Sequence, residues 1–443
     1  MKRLAALSAL AIAPLTLFAC SASHGGGMDG GDLQPDAGSL DAAAPDAGLD
    51  GSPSDTGLGP ACVHPPSMPC VMPAGDGVLG EPVLAYTEIA AYGLVPALDG
   101  ARVMYKRSDF SSGTSVTFWE TVAFDADVRP GPIAPLETIG GHGDPGPGAL
   151  LRLSTGEVHF AWRVDVSDAS GMGVGTETHA ARMDVGGTVA SIPPADRDGP
   201  EDWTDAALGL AETDDGTLVV GHLTAHGLAL RSATRESTVP FDVMWNGSLQ
   251  MAALPGGRLV AIVEEESPST PAGRRTAVVL GTAFEEQARA TVFDGEPSRD
   301  ALLVMGDDIY VARFERVFDR LDGSRIRIAH VDAALNRLEP DRALDGWGGL
   351  EPTYVALVAW QGQPWLVWRT IDVRFGATPV LYALPLTEEA CIGSVDRPLV
   401  VLSDTGRLGP IPMRVAADAS ALWVVTAQRE GPPLHAYRFT ACP

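Results

Sequence analysis

The chain has 443 residues, 45% of them hydrophobic and 20% charged, with a formal net charge of −26. That hydrophobic share is globular and excludes a chain that is disordered throughout. The negative charge excludes binding to nucleic acid or to an anionic lipid surface by bulk electrostatics, and suits solubility, cations or cationic partners.

Lys2 and Arg3 precede an apolar stretch, Leu4 to Leu17, that runs into Leu17-Phe18-Ala19-Cys20. The stretch is shorter than the ~20 residues a membrane-spanning helix needs, and Pro14 interrupts it. Residues 1–19 therefore read as a secretion signal peptide, cleaved behind the small residue Ala19 so that the mature chain begins at Cys20. Over residues 1–20 the pattern resembles bacterial lipoprotein signals. The resemblance implies lipidation of Cys20 and a membrane partner reached through that anchor. Several acyl chains at ~0.8 kcal/mol per buried methylene hold a protein on a membrane almost permanently. Residue 21 is Ser rather than Asp, which resembles the outer-membrane class of the enteric sorting scheme. The expected location is extracytoplasmic, anchored to the outer membrane.

Residues 20–60 form the next segment. Beyond Cys20 it has no aromatic residue, no Lys and no Arg, and it contains seven Asp. Pro35-Asp36-Ala37-Gly38 is echoed by Pro45-Asp46-Ala47-Gly48. Such a segment buries too little apolar surface to offset its ordering entropy, so it reads as a disordered tether. Lys occurs only at 2 and 106, and the other basic residues are Arg. Lipobox, Pro-Asp-Ala-Gly tether and composition together resemble uncharacterised lipoproteins of myxobacteria, a resemblance that brings no activity with it.

Residues 61–443 are long enough for a large core. A unit recurs there at about 40–55 residues: an apolar strand, a tight turn, a second apolar strand. The turns fall at Asp99-Gly100, Thr155-Gly156, Asp215-Gly216, Gly256-Gly257, Gly306-Asp307, Gln361-Gly362 and Ala419-Ser420. Six of the seven contain Gly, which accepts the positive φ that hairpin turns demand. Third strands follow, among them Ser115–Phe124, Thr276–Ala283 and Pro433–Phe439, and weaker fourth runs. Ala283–Ala290 is the best candidate for a short helix. Four antiparallel strands repeated seven times predict an all-β fold, a β-propeller of seven four-stranded blades. The last unit lacks an outer strand, and Pro82–Tyr92 precedes the first unit without a partner. Pairing of Pro82–Tyr92 with Pro433–Phe439 is expected to close the ring and protect both edges. The even spacing argues against a pair of β-sandwiches.

Cys62, Cys70, Cys391 and Cys442 are an even set in an exported chain and predict two disulfides. Bridges from the 62–70 segment to Cys442 and Cys391 would staple the ring. A local Cys62–Cys70 bridge with Cys391–Cys442 is the competing arrangement. Their spacing lacks the paired C-x-x-C of a zinc site.

Catalytic and metal signatures are weak. His222 and His226 are four apart, a metal spacing on a helix but not across a strand end and its turn. His159 and His179 read as neighbours on paired strands. Glu264-Glu265-Glu266, Asp214-Asp215 and Asp307-Asp308 supply carboxylates of the kind glycoside hydrolysis needs, but turns collect Asp for backbone reasons. Arg313, Arg316, Arg320, Arg325 and Arg327, interleaved with Phe314 and Phe318, read either as an anion grip or as a charged hairpin. Trp360, Trp365 and Trp368 read as sugar-stacking or, more simply, as blade core. No Gly-x-Ser-x-Gly, phosphate-cradling loop or calcium loop occurs. The sequence thus predicts an envelope-anchored monomer without catalytic residues, metal or cofactor. Its propeller binds protein or glycan. The alternative is a glycan-active hydrolase or lyase at the central mouth.

Overall fold

A computed structural model gives the architecture. It describes residues 71–441 except 80–86, 110–115, 141–144, 168–172, 199–206, 244–246, 268–269, 295–299, 317–323, 346–349, 373–376, 387–398, 404–412 and 428–433. The signal, the tether, Cys20, Cys62, Cys70, Cys391 and Cys442 lie outside the described residues.

The chain enters through β1 (Val71–Leu79). Blade 1 is β2 (Thr87–Ala97), β3 (Gly100–Asp109), β4 (Val116–Asp125) and β5 (Ala134–Gly140). Blade 2 is β6 (Pro145–Arg152), β7 (Val158–Ser167), β8 (Gly173–Met183) and β9 (Val189–Asp198). Blade 3 is β10 (Leu208–Glu212), β11 (Leu218–Thr224), β12 (Gly227–Arg231) and β13 (Glu236–Pro240). Blade 4 is β14 (Leu249–Leu254), β15 (Arg258–Ser267), β16 (Thr270–Leu280) and β17 (Glu286–Asp294). Blade 5 is β18 (Asp300–Met305), β19 (Asp308–Arg316), β20 (Ser324–Val331) and β21 (Arg342–Asp345). Blade 6 is β22 (Leu350–Trp360), β23 (Gln363–Asp372), β24 (Ala377–Pro385) and β25 (Leu399–Ser403). Blade 7 is β26 (Met413–Ala417), β27 (Leu422–Ala427) and β28 (Leu434–Ala441), completed by β1.

Seven four-stranded antiparallel sheets result. Their inner strands touch in sequence, β2 to β6, β10, β14, β18, β22 and β26, and β26 returns to β2. The protein is a seven-bladed β-propeller. Seven apolar clusters fill the seven seams between neighbouring blades. Each blade is therefore apolar on both faces, which is why its strands read as continuous apolar runs rather than as alternating ones.

An N-terminal strand closes the ring, as the sequence predicts, but the strand is β1 and not Pro82–Tyr92. Val71 pairs with Ala441 and Leu79 with Leu434. The described part of the expected segment, Thr87–Tyr92, opens β2, the inner strand of blade 1, with Ala91 opposite Tyr105. β1 was hidden by its glycines, which the packing requires. A Cβ at Gly77 would stand 1.8 Å from the Val128 carbonyl oxygen, and one at Gly75 2.8 Å from a Val128 methyl.

The short helix expected at Ala283–Ala290 is absent. Glu286–Asp294 is β17, with polar and half-buried positions alternating along its first half. Its approach is the turn Gly281–Glu285, in which Phe284 adopts φ 65°. Period-2 burial against blade 4 overrides the local helix preference of the Ala- and Glu-rich run.

Candidate ligand-binding cleft

Each blade presents its first hairpin, the turn between its inner and second strands, to one end of the ring. Neighbouring hairpins are bolted together there. Ser154 donates from its backbone N and from Oγ to the Glu212 carboxylate, at 2.6 and 2.7 Å, across the seam of blades 2 and 3. Gly256 N donates to Asp214 Oδ2 at 2.6 Å across blades 3 and 4. Arg258 Nη2 meets Asp307 Oδ1 at 3.0 Å across blades 4 and 5.

A second device seals the seams further out. Four turns between third and fourth strands share one geometry: Asp125–Arg129, Asp184–Thr188, Gly281–Glu285 and Asp332–Asn336. In each, the fourth residue donates its N–H to the first carbonyl, at 2.8–3.0 Å. In three of them an Asp Oδ1 accepts the fifth residue's N–H at 2.8 Å. The fourth residue sits in the left-handed region: Val128 at 62°, Gly187 at 85°, Phe284 at 65° and Leu335 at 63°. Left-handed Val, Phe and Leu are costly, roughly 1–2 kcal/mol each, and burial offsets the cost. Val128 is buried in the seam of blades 7 and 1, Phe284 in that of blades 3 and 4, and Leu335 in that of blades 4 and 5.

Blade 2 carries Gly187 at this position. A Cβ there would meet nothing within 4 Å. The plug is missing, and a cleft of about 340 Å³ opens between blades 1 and 2. It is lined by the blade 1 hairpin (Leu98, Asp99, Gly100), by Phe124 and Asp125, and by Gly156 and Met183–Val185 of blade 2. Leu98 and Val185 stand on its rim, 74% and 60% exposed. Arg102 of β3, Arg129 and Arg152 of β6 also line it.

Arg102 is half-buried, and among the described residues no carboxylate pairs with it. Burial holds its guanidinium below the ordinary arginine value. Arg152 makes one contact on this face, Nη1 to the Pro96 carbonyl at 3.4 Å. Arg129 pairs with the exposed Asp127 at 3.7 Å. The carboxylates of Asp125 and Asp184 accept backbone N–H groups within their own turns. The cleft thus offers guanidinium donors, the exposed Asp99 as an acceptor, and apolar walls. Beyond it the seam is tight: Trp119, Phe160 and Trp162 are buried in its core, and His179 Nδ1 meets Glu137 Oε1 at 2.9 Å from blade 2 to blade 1. Hydrogen bonding to Glu137 holds His179 above its ordinary value. Glu137 lies below its own: burial pushes it up, but the bonds from His179 and Trp162 outweigh that.

Most residues that the sequence singled out are structural. Trp360 and Trp365 are buried in the seam of blades 6 and 7, where Trp365 Nε1 donates to the Trp360 carbonyl at 3.0 Å. Trp368 stacks on Tyr382 at 5.2 Å between ring centroids. Within the arginine run, Arg313 is buried, Arg325 pairs with Glu315 at 2.6 Å and Arg327 with Asp341 at 2.7 Å. Those three are not an open anion grip; the Arg316 and Arg320 side chains lie outside the described residues. Glu264 and Glu265 are buried. Arg275 meets Glu264 Oε1 at 2.9 Å and is bonded to Asp300 across blades 4 and 5. Burial pushes the Asp300 carboxyl up, against the pull of Arg275 and Arg313.

His222 lies in β11 and His226 in the turn that follows. His159 is opposite Arg182 and His179 opposite Trp162. The two histidines are thus an odd number of residues apart in register, on opposite faces of the sheet. Among the described residues no group of three His, Cys, Asp or Glu is placed to hold a metal ion, and no helix is long and apolar enough to cross a membrane. On the inner strands, Glu212 and Asp300 sit at opposite ends of the ring, each bonded to the protein.

Sequence reasoning missed Arg102, Gly187 and the plug turns. The signal lay in aligning the four turns with one another.

No protein-family model matches the chain, and no curated protein sequence matches it. Among solved structures it is similar to hydrazine synthase of Kuenenia stuttgartiensis, at 12% identity over 77% of this chain and 93% of that one, TM-score 0.42. It is similar to the Penicillium chrysogenum α-L-arabinanase complexed with arabinobiose, at 9% identity over 82% and 98%, TM-score 0.41. It is also similar to a fucose-specific lectin from Aleuria aurantia, at 11% identity over 79% and 90%, TM-score 0.38. At these levels no residue role or activity is carried across.

Proposed function

We propose that the chain is an envelope lipoprotein, anchored through Cys20, whose propeller is a non-catalytic glycan-binding module with its ligand in the cleft between blades 1 and 2. The observation that carries this reading is Gly187, which stands where the same turn elsewhere places a buried Val, Phe or Leu. One seam is open where matching seams are plugged. The cleft of about 340 Å³ is on the scale of small-ligand sites. Guanidinium donors, an exposed carboxylate and apolar rim residues suit the hydroxyls and apolar ring faces of a saccharide. The hydrolase reading is supported less. It needs two facing carboxylates about 5–9.5 Å apart; on the inner strands Glu212 and Asp300 are each bonded within the protein, and the side chains of Glu88 and Glu351 lie outside the described residues.

The test is a glycan array probed with the full-length protein. The reading expects a defined saccharide class to be retained without turnover. Release of cleaved product would favour the hydrolase, and silence on every glycan would remove the reading. The anchor is tested separately: Cys20→Ala should move the protein out of the membrane fraction.

The register of β1 on β28 also supports one disulfide arrangement over its competitor. Val71 is opposite Ala441, and Cys70 and Cys442 are each one peptide bond beyond them. A ladder continued by one residue would make them cross-strand neighbours, within the span a disulfide bridges. We therefore infer a Cys70–Cys442 bridge, leaving Cys62 for Cys391. Non-reducing peptide mapping that recovers a Cys62–Cys70 peptide would contradict it.

A further inference from the structure

Four arginines of comparable burial elsewhere in the propeller have carboxylate partners: Arg107 with Glu120 at 3.0 Å, Arg325 with Glu315 at 2.6 Å, Arg327 with Asp341 at 2.7 Å, and Arg342 with Glu339. Two half-buried arginines of the open cleft depart from this pattern. Arg102 has no carboxylate partner among the described residues, and Arg152 on the facing blade is bonded only to a backbone carbonyl. A half-buried guanidinium forfeits hydration, and without an anion nothing offsets that loss. Of the cleft's own carboxylates, Asp125 and Asp184 are turned into their turns, and Asp99 is exposed and forms no ion pair with either arginine among the described residues. Position matters as well. Arg102 stands on blade 1, and Arg152 of blade 2 reaches across the seam to the Pro96 carbonyl of blade 1, so both guanidinium groups line the one cleft.

Resting on the glycan-binding reading above, we propose that the ligand is an acidic saccharide, whose oxyanion is held by Arg102 and Arg152 while the apolar face of its ring lies on Leu98 and Val185. Carboxylate and sulfate share this chemistry. A guanidinium presents a planar fork of donors to either, and charge-assisted bonds of this kind are roughly twice as strong as neutral ones.

The experiment is calorimetric titration of the full-length protein with three probes: an oligogalacturonate, a sulfated galactan oligosaccharide and a neutral galactan oligosaccharide of the same length. The proposal expects an acidic probe to bind at least tenfold more tightly than the neutral one, and its affinity to fall as salt rises. The carboxylated and sulfated arms identify the source of the oxyanion. Arg102→Met should abolish the preference for acid and leave the melting temperature unchanged, and Arg102→Lys should restore part of it. If Arg102→Met fails to fold, Arg152→Met and the salt dependence decide. Equal affinity for acidic and neutral probes would overturn the proposal and leave the glycan-binding reading standing. Silence of all three probes beside binding of another neutral glycan on the array would do the same.

Discussion

The seam between blades 4 and 5 and the seam between blades 1 and 2 both bring arginines into contact with a neighbouring blade, and they end differently. In the first, Arg275 is fully buried, bonded to Glu264 on its own blade and to Asp300 on the next, and Leu335 plugs the outer edge. In the second, among the described residues, Arg102 is half-buried without a carboxylate partner, Arg152 is bonded to a backbone carbonyl, and Gly187 stands where the plug would be. The same residue types are structural where the seam supplies countercharge and filling, and available to a ligand where it supplies neither. Burial alone does not separate the two roles. The presence of a protein partner does.

The sealed seam is the place to break this comparison hardest. Arg275→Met leaves Glu264 and Asp300 buried without their shared cation, and removing one partner of a buried pair costs about 3–5 kcal/mol. Arg102→Met should change stability by no more than about 0.5 kcal/mol, as is usual where no structural partner is lost. Urea unfolding of both variants checks the contrast, and equal losses would erase it.

Exchanging the plugs comes next. Leu335→Gly should cost about 1–4 kcal/mol, the ~2–5 for emptying a buried leucine site less the ~1–2 of left-handed strain that Gly relieves, and should open a second cleft between blades 4 and 5, visible as new solvent exchange at Val331 and Val292. A loss below about 1 kcal/mol would mean that the plug contributes little to sealing.

The smallest effect sharpens what keeps blades 1 and 2 together while their cleft is open. His179 lies above its ordinary value of 6.5 through its bond to Glu137. A raised histidine stabilises the fold fully below the unfolded value, and that contribution is lost as pH rises through the higher folded value. Stability should therefore fall modestly from just above pH 6.5, and His179→Gln should flatten that part of the profile. Glu137 lies below its ordinary value, so its own contribution is lost only as pH falls through that lowered value. A wild-type profile that is flat between pH 6 and 8 would contradict the clasp.

The ring was legible because its defining feature is local. An apolar strand, a Gly-bearing turn and a second apolar strand recur, and six of the seven turns announce themselves through Gly. β1 was not legible, since Pro73, Gly75 and Gly77 weaken its strand signal for a reason that lies on another blade, the close approach of Val128. Plug turns were hidden by the opposite effect. Their left-handed residues are Val, Phe and Leu, which carry no turn signature, and tertiary burial holds them there. Ala283–Ala290 misled because its composition favours a helix, whereas Phe284 ends a hairpin turn. The candidate site was invisible for a plainer reason. Nothing local distinguishes Arg102 from Arg313 or Arg325. Only the partners of the others, Glu315 on the paired strand for Arg325 and the Asp294 carbonyl for Arg313, make Arg102 the exception.

The most direct measurement is calorimetric titration of the full-length wild type and Gly187→Leu with the saccharide that the array retains. Leu335 shows that leucine occupies this turn position when a seam receives it. The account predicts saturable binding to the wild type, loss of at least tenfold in affinity in Gly187→Leu, and a destabilisation of that variant no larger than the ~1–2 kcal/mol of left-handed strain. Undiminished affinity in the plugged variant would place the ligand elsewhere and contradict the account.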